Sequence, residues 1–146
     1  MSHSSSKIWL HLIFGTRNRQ PYIYEELERE LYKFIIDKLE NEFSCKVKAA
    51  NGTKDHLHLL ILFNPQYVLT DIIKAIKGSS SNWINNNQFF RGKFYWQKGY
   101  SVYSVSESIA SSVYKYIMNQ KEHHKKVSFQ EEYNSFLDVH KLEILD

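Results

Sequence analysis

The run KDHLHLLILF, from Lys54 to Phe63, is apolar almost throughout yet carries two histidines separated by a single leucine. Side chains alternate faces along a β-strand, so His56 and His58 point one way while Leu57, Leu59, Ile61 and Phe63 point the other. Beyond the histidines both faces are apolar, which places the strand centrally in a sheet. The two imidazoles then stand side by side on one surface. They are either buried side chains satisfied by hydrogen bonds or a pair of ligands.

Working outward, residues 7–15 alternate Ile8, Leu10, Leu12 and Phe14 against Trp9, His11 and Ile13, a first strand closed by the polar turn GTRNRQP. YEELERELYKFIIDKLENEF sets Leu27, Leu31, Phe34, Ile35 and Leu39 at helical spacing with acids early, and so predicts the first helix. CKVKAAN is a short second strand, GTKD a turn, and HLHLLILF the third strand. VLTDIIKAIKGSSSNWINN predicts a second helix with Thr70 as its cap, Ile72, Ile73 and Ile76 inward, and an end or interruption at Gly78 and the serines. KFYWQKGYSVYSVS is strand-like with a turn at Lys98-Gly99, and Ser106 caps a third helix of about residues 106–126. The order β-α-β-β-α-β predicts an α+β, ferredoxin-like (RRM-like) antiparallel sheet with an additional C-terminal helix. A single domain spanning 1–146 is expected, and the tail 127–146 offers a short helix around FQEEYNSFL.

Composition is that of a globular chain: 42% apolar, 24% charged, net charge +3, with aromatics at 15%. So small a net charge does not by itself identify a polyanion partner, but the basic residues cluster. Arg17 and Arg19 share a turn, and Arg91, Lys93 and Lys98 interleave with Trp96 and Tyr100, a pattern suited to the phosphates and bases of a nucleic-acid strand. The lone Cys45 has no partner for an internal disulfide and no CxxC exists to hold zinc. The first apolar run is too short and too interrupted by His11 for a signal or membrane segment, so a cytoplasmic protein is expected.

On the third helix Ile109, Val113, Tyr116, Ile117 and Gln120 fall on one stripe, with Tyr116 and Gln120 one turn apart. An inward glutamine needs a partner. His123 lies on the same stripe, and spacing leaves open whether Gln120 or His123 joins His56 and His58 as a third ligand. Such a set, with open positions, suits a divalent cation that polarises a phosphate oxygen. An adjacent tyrosine, a weak nucleophile at its usual pKa near ~10, is helped by a cation favouring phenolate, and a phosphotyrosine would conserve the energy of the cut bond.

DHLHLL followed by YIMNQ in a capped helix, together with HLIFGTRNRQP, IKGSSSNWIN and FYWQKGYSVYSVS, resembles the single-tyrosine HUH (His-hydrophobic-His) transposases. These are TnpA-like enzymes of insertion sequences that move as single-stranded DNA. The resemblance implies His56 and His58 as the HUH pair, Tyr116 as the nucleophile that becomes linked to a 5′-phosphate, and Gln120 rather than His123 as the third metal ligand. It also implies Mg²⁺ or Mn²⁺, a homodimer, and single-stranded DNA bearing a hairpin near the end of the element. Lys54 stands where many relatives carry proline or another small residue.

Three other readings compete: a domesticated relative acting on chromosomal hairpin repeats, a non-catalytic nucleic-acid-binding module, and a hydrolytic phosphodiesterase leaving no protein-DNA adduct. Nothing in the sequence obliges the tyrosine helix to pack on its own sheet. The resemblance implies a dimer in which this helix can be exchanged, and composite sites, with Tyr116 from one chain and the histidines from another, are the expectation.

Overall fold

The computed structural model describes residues 3–140. Strands β1 (Ile8–Gly15), β2 (Lys46–Thr53), β3 (His56–Phe63) and β4 (Ser101–Val105) form one antiparallel sheet in the order β2-β3-β1-β4. Helices α1 (Glu25–Glu42) and α2 (Leu69–Asn86) follow β1 and β3, so the β-α-β-β-α-β order holds and the class is α+β. The KDHLHLLILF run is central: β3 pairs with β2 on one side and β1 on the other.

The alternation in the sequence becomes two faces. Leu10, Leu12 and Phe14 join Leu57, Leu59 and Ile61 under the inner stripes of α1 (Leu27, Leu31, Ile35, Leu39) and α2 (Ile72, Ile73, Ile76, Ile84). Leu57, Leu59 and Ile61 are fully buried. Each contributes on the order of 1.5–3 kcal/mol by leaving water. The opposite face carries Trp9, His11 and Ile13 of β1 and His56, His58 and Leu60 of β3. Over it lies α3 (Ala110–Met118), whose Ala110 and Ile117 pack against Trp9, Ala49, Leu60 and Val105.

Several local expectations give way. The hairpin between β2 and β3 turns on Lys54 and Asp55 alone, because Gly52 and Thr53 remain in the ladder opposite Leu57 and His56. Helix α2 runs unbroken through Gly78: Ser79, Ser80 and Ser81 return their hydroxyls to the carbonyls of Ala75, Lys77 and Gly78, so the serines are absorbed into the helix. Its cap position is Val68, not Thr70. Ile109 is exposed, and the inward stripe of α3 begins at Ala110.

The predicted third helix is divided. A short 3₁₀ turn (Glu107–Ile109) leads into α3, and Asn119 separates α3 from α4 (Gln120–His123). The reason lies on β2: the Asn51 amide donates to the Ile117 and Met118 carbonyls, which a continuing helix would offer to residues 121 and 122. The tail does form a helix, α5 (Phe129–His140), started by Ser128, whose hydroxyl accepts from the Glu131 N–H. Residues 141–146 of the tail lie outside the described residues. Among the described residues no helix is long and apolar enough to cross a membrane.

Candidate active site

His56 and His58 are both fully buried, on the face covered by α3 and α5. Each ring is held from behind through Nδ1. His56 Nδ1 lies 2.8 Å from Asp55 Oδ1 and 2.9 Å from Thr53 Oγ1, while His58 Nδ1 lies 2.8 Å from His11 Nε2. That leaves both Nε2 atoms turned toward the helices. His56 Nε2 meets Gln120 Oε1 at 3.0 Å, and His58 Nε2 meets Glu132 Oε1 at 2.9 Å. Anchoring one ring nitrogen so that the other faces a common point is the arrangement metal-ligating histidines require.

Gln120 is fully buried at the start of α4, and Tyr116 is half-buried on α3 with its ring centroid 5.8 Å from that of His58. The Tyr116 hydroxyl donates to Glu132 Oε2. The structure thus brings His56, His58, Tyr116 and Gln120 together within one chain. Within the chain α3 lies on its own sheet, because it has an apolar stripe to bury there and Asn51 grips its last carbonyls.

Burial pushes the His58 imidazole down to about 4, with His56 and His124 adding to the fall and Glu132 opposing it. Burial likewise takes His11 down to about 3, with His58 adding to it. For Glu132, burial works against the charge, yet hydrogen bonds from His124, His58 and Tyr116 and the attraction of His58 outweigh it and hold the carboxyl far below the usual range. Tyr116 is raised well above an ordinary phenol, by burial first and then by the Glu132 carboxylate it touches. In this arrangement the phenol keeps its proton.

Glu132 and His124 are the residues that the sequence reading missed. His56, His58, His124 and Glu132 each offer a ligand atom, all within 4.8 Å of one another, a set that can hold a metal ion. His123 Nε2 also reaches Glu132, at 3.1 Å. The available signal was Ser128-x-x-Glu131, a helix start that places Phe129 and Glu132 one turn apart on one face.

The basic candidates divide. Arg17 is exposed, its guanidinium 4.0 Å from the Tyr95 ring centroid, and Arg19 bonds Gln130 and lies over Phe129 beside the histidines. Arg91 and Lys93 are exposed and line a cleft with Asn85, Gln88 and Phe90, and Lys98 is exposed next to Gly99. Trp96 does not offer a stacking face. It is buried edge-on between Phe14 and Phe94, its indole N–H donating to Ser80, so its place is the core. Tyr100 is half-buried against the same cluster.

Fold and site together define a class: a small α+β protein with a back-anchored histidine pair on the sheet and a helix-borne tyrosine facing it. Residues 4–120 match the family model described as "Transposase IS200 like". The chain belongs to the family of IS200-like transposases. It is 28% identical over 115 residues to the ISDra2 transposase TnpA of Deinococcus radiodurans, covering 75% of this chain and 81% of that one. It is 26% identical over 131 residues to the IS200 transposase of Salmonella typhimurium, covering 86% and 84%. A transposase crystal structure from Deinococcus radiodurans superposes with a TM-score of 0.63 at 27% identity, over 82% of this chain and 95% of that one. The fold is shared with a REP-associated tyrosine transposase bound to a REP hairpin, with a TM-score of 0.64 at 15% identity over 85% and 74%.

Proposed function

We propose that this transposase cuts and rejoins single-stranded DNA at hairpin-marked ends of an insertion sequence through a 5′-phosphotyrosine on Tyr116. The observation that carries the reading is that the His56 and His58 Nε2 atoms, the Gln120 amide and the Tyr116 hydroxyl all converge on the Glu132 carboxylate. His56, His58 and Gln120 would hold the Mg²⁺ or Mn²⁺ ion. A divalent cation there supplies positive charge that polarises a phosphate oxygen and favours phenolate.

The Tyr116 oxygen attacks the phosphorus, the bond to the 3′-oxygen breaks, and that oxygen leaves with the electron pair and takes up a proton as the phenol gives one up. Phosphorus remains a diester, so attack by another 3′-hydroxyl reverses the step and rejoins a strand without ATP. His56 and His58 are fixed from behind by Asp55 and His11, so their rings are already oriented with both Nε2 atoms turned toward the tyrosine helix.

Hairpin recognition is supported by the shared fold with a transposase bound to a REP hairpin and by the exposed Arg17, Arg91, Lys93 and Lys98. A homodimer is part of this reading through the family resemblance. The test is a denaturing gel of the protein incubated with Mn²⁺ and a 3′-labelled single strand carrying a hairpin. A labelled band at the mass of protein plus DNA is expected. Cleavage without that band would replace the transferase with a hydrolase, and hairpin binding without cleavage would leave a binding module.

A further inference from the structure

Glu132 is 96% removed from solvent, and a carboxylate in that position is costly unless it is matched by donors or cations. Its oxygens lie 2.9 Å from His58 Nε2, 3.9 Å from His56 Nε2, 3.2 Å from His124 Nε2 and 3.4 Å from Gln120 Nε2, with the Tyr116 hydroxyl on Oε2. Its position is fixed one turn earlier by Phe129, whose ring stacks on His56 at 4.4 Å and 6° and packs with Ile13 and Tyr103. Gly15 allows this approach, since a Cβ there would stand 2.6 Å from the Phe129 ring.

Two imidazoles and a neutral amide bring no negative charge to Mg²⁺ or Mn²⁺, hard cations that prefer anionic oxygen. Glu132 brings it. Ligand bonds of about 2.0–2.2 Å allow ligand atoms to lie at most about 4.4 Å apart. The set His56, His58, His124 and Glu132, all within 4.8 Å, needs to contract by only a few tenths of an ångström.

We infer that Glu132 is itself a ligand of the divalent cation in the DNA-free protein, completing with His124 the site begun by His56 and His58. Helix α5 then brings to the cation a carboxylate standing beside the tyrosine hydroxyl, where a phosphate oxygen of the substrate must enter. This rests on the metal reading of the histidine pair, and its test separates the two.

Mn²⁺ is titrated into the full chain without DNA and the free ion is read from its electron paramagnetic resonance signal. Glu132→Gln, which keeps the side chain's shape and removes its charge, is expected to weaken Mn²⁺ binding by about tenfold or more. Glu132→Asp, which keeps the charge but withdraws the oxygens, should fall between that variant and wild type. Glu131→Gln, exposed one residue earlier, should bind as wild type does. Wild-type affinity in Glu132→Gln together with loss in His58→Ala would overturn the inference and leave the cation on the histidines. Binding by His58→Ala equal to wild type would overturn the metal reading of the histidine pair, and this inference with it.

Discussion

His11 Nε2 stands 2.8 Å from His58 Nδ1, a hydrogen bond between two buried imidazoles on neighbouring strands. Both rings are held neutral at pH 7 by burial, so one of the two nitrogens donates and the other accepts. Glu132 is ionised and lies on His58 Nε2, so Nε2 carries the proton and donates to the carboxylate. His58 Nδ1 then accepts from His11. A metal on Nε2 requires the opposite tautomer, with the His58 proton on Nδ1 and His11 accepting it.

That pair sets a pH dependence in the metal-free protein. The unfolded chain protonates His58 below its ordinary 6.5 and the folded chain only near 4, so over that window the unfolded state binds more protons and stability falls as pH falls. Between pH 7 and pH 5 this costs about 2 kcal/mol. Urea unfolding at the two pH values, with chelator present, should show a shallower loss for His58→Gln than for wild type. Equal losses would mean that His58 is not held neutral.

Tyr116→Phe removes only the attacking oxygen and is expected to reduce adduct formation by on the order of a thousandfold or more, with hairpin affinity nearly unchanged. Tyr114 is exposed on α3, away from the stripe that packs on the sheet, and Tyr114→Phe should retain the adduct. Labelled-DNA gels of the two variants check this directly, and the reverse result would reassign the nucleophile.

Chelation is expected to stop strand cleavage and Mg²⁺ or Mn²⁺ to restore it. His56→Ala, His58→Ala and Gln120→Ala should each lower the rate at a fixed metal concentration, and His123→Ala should do much less. Initial rates across a Mn²⁺ titration separate lost affinity from lost turnover. Cleavage undiminished in chelator would remove the cation from the mechanism.

A mixture of Tyr116→Phe and His58→Ala chains should stay inactive, because α3 packs on its own sheet and each variant spoils its own site. Recovery of roughly a quarter of wild-type cleavage, as random exchange into mixed dimers gives, would show that the helix crosses to a partner.

Two glycines predict opposite signs. A Cβ on Gly52 would stand 2.1 Å from the His56 carbonyl oxygen, so Gly52→Ala should destabilise by about 1–3 kcal/mol or more and weaken Mn²⁺ binding by displacing His56. Gly78 is exposed inside α2 with nothing near its added Cβ, and Gly78→Ala should stabilise by roughly 0.5–1 kcal/mol. Thermal melts of both variants decide.

What the sequence determined by itself is what neighbours along the chain impose on one another. Alternation over residues 56–63 sets the histidines on one face of a strand, helical spacing selects the inward residues of α1 and α2, and a four-residue step sets Tyr116 one turn from Gln120. Motif spacing was enough for the family, because His-x-His and the tyrosine-glutamine step are both local. Only the tertiary structure decided which elements meet. Trp96 became core because Phe14 and Phe94 close on both sides of it, and the predicted C-terminal helix divided at Asn119 because Asn51, on another strand, takes its carbonyls. The partner of His58 is a carboxylate 74 residues further along, on a helix that the sequence only outlined. No periodicity connects two such positions, because their meeting depends on how α5 seats Phe129 against His56 on the sheet.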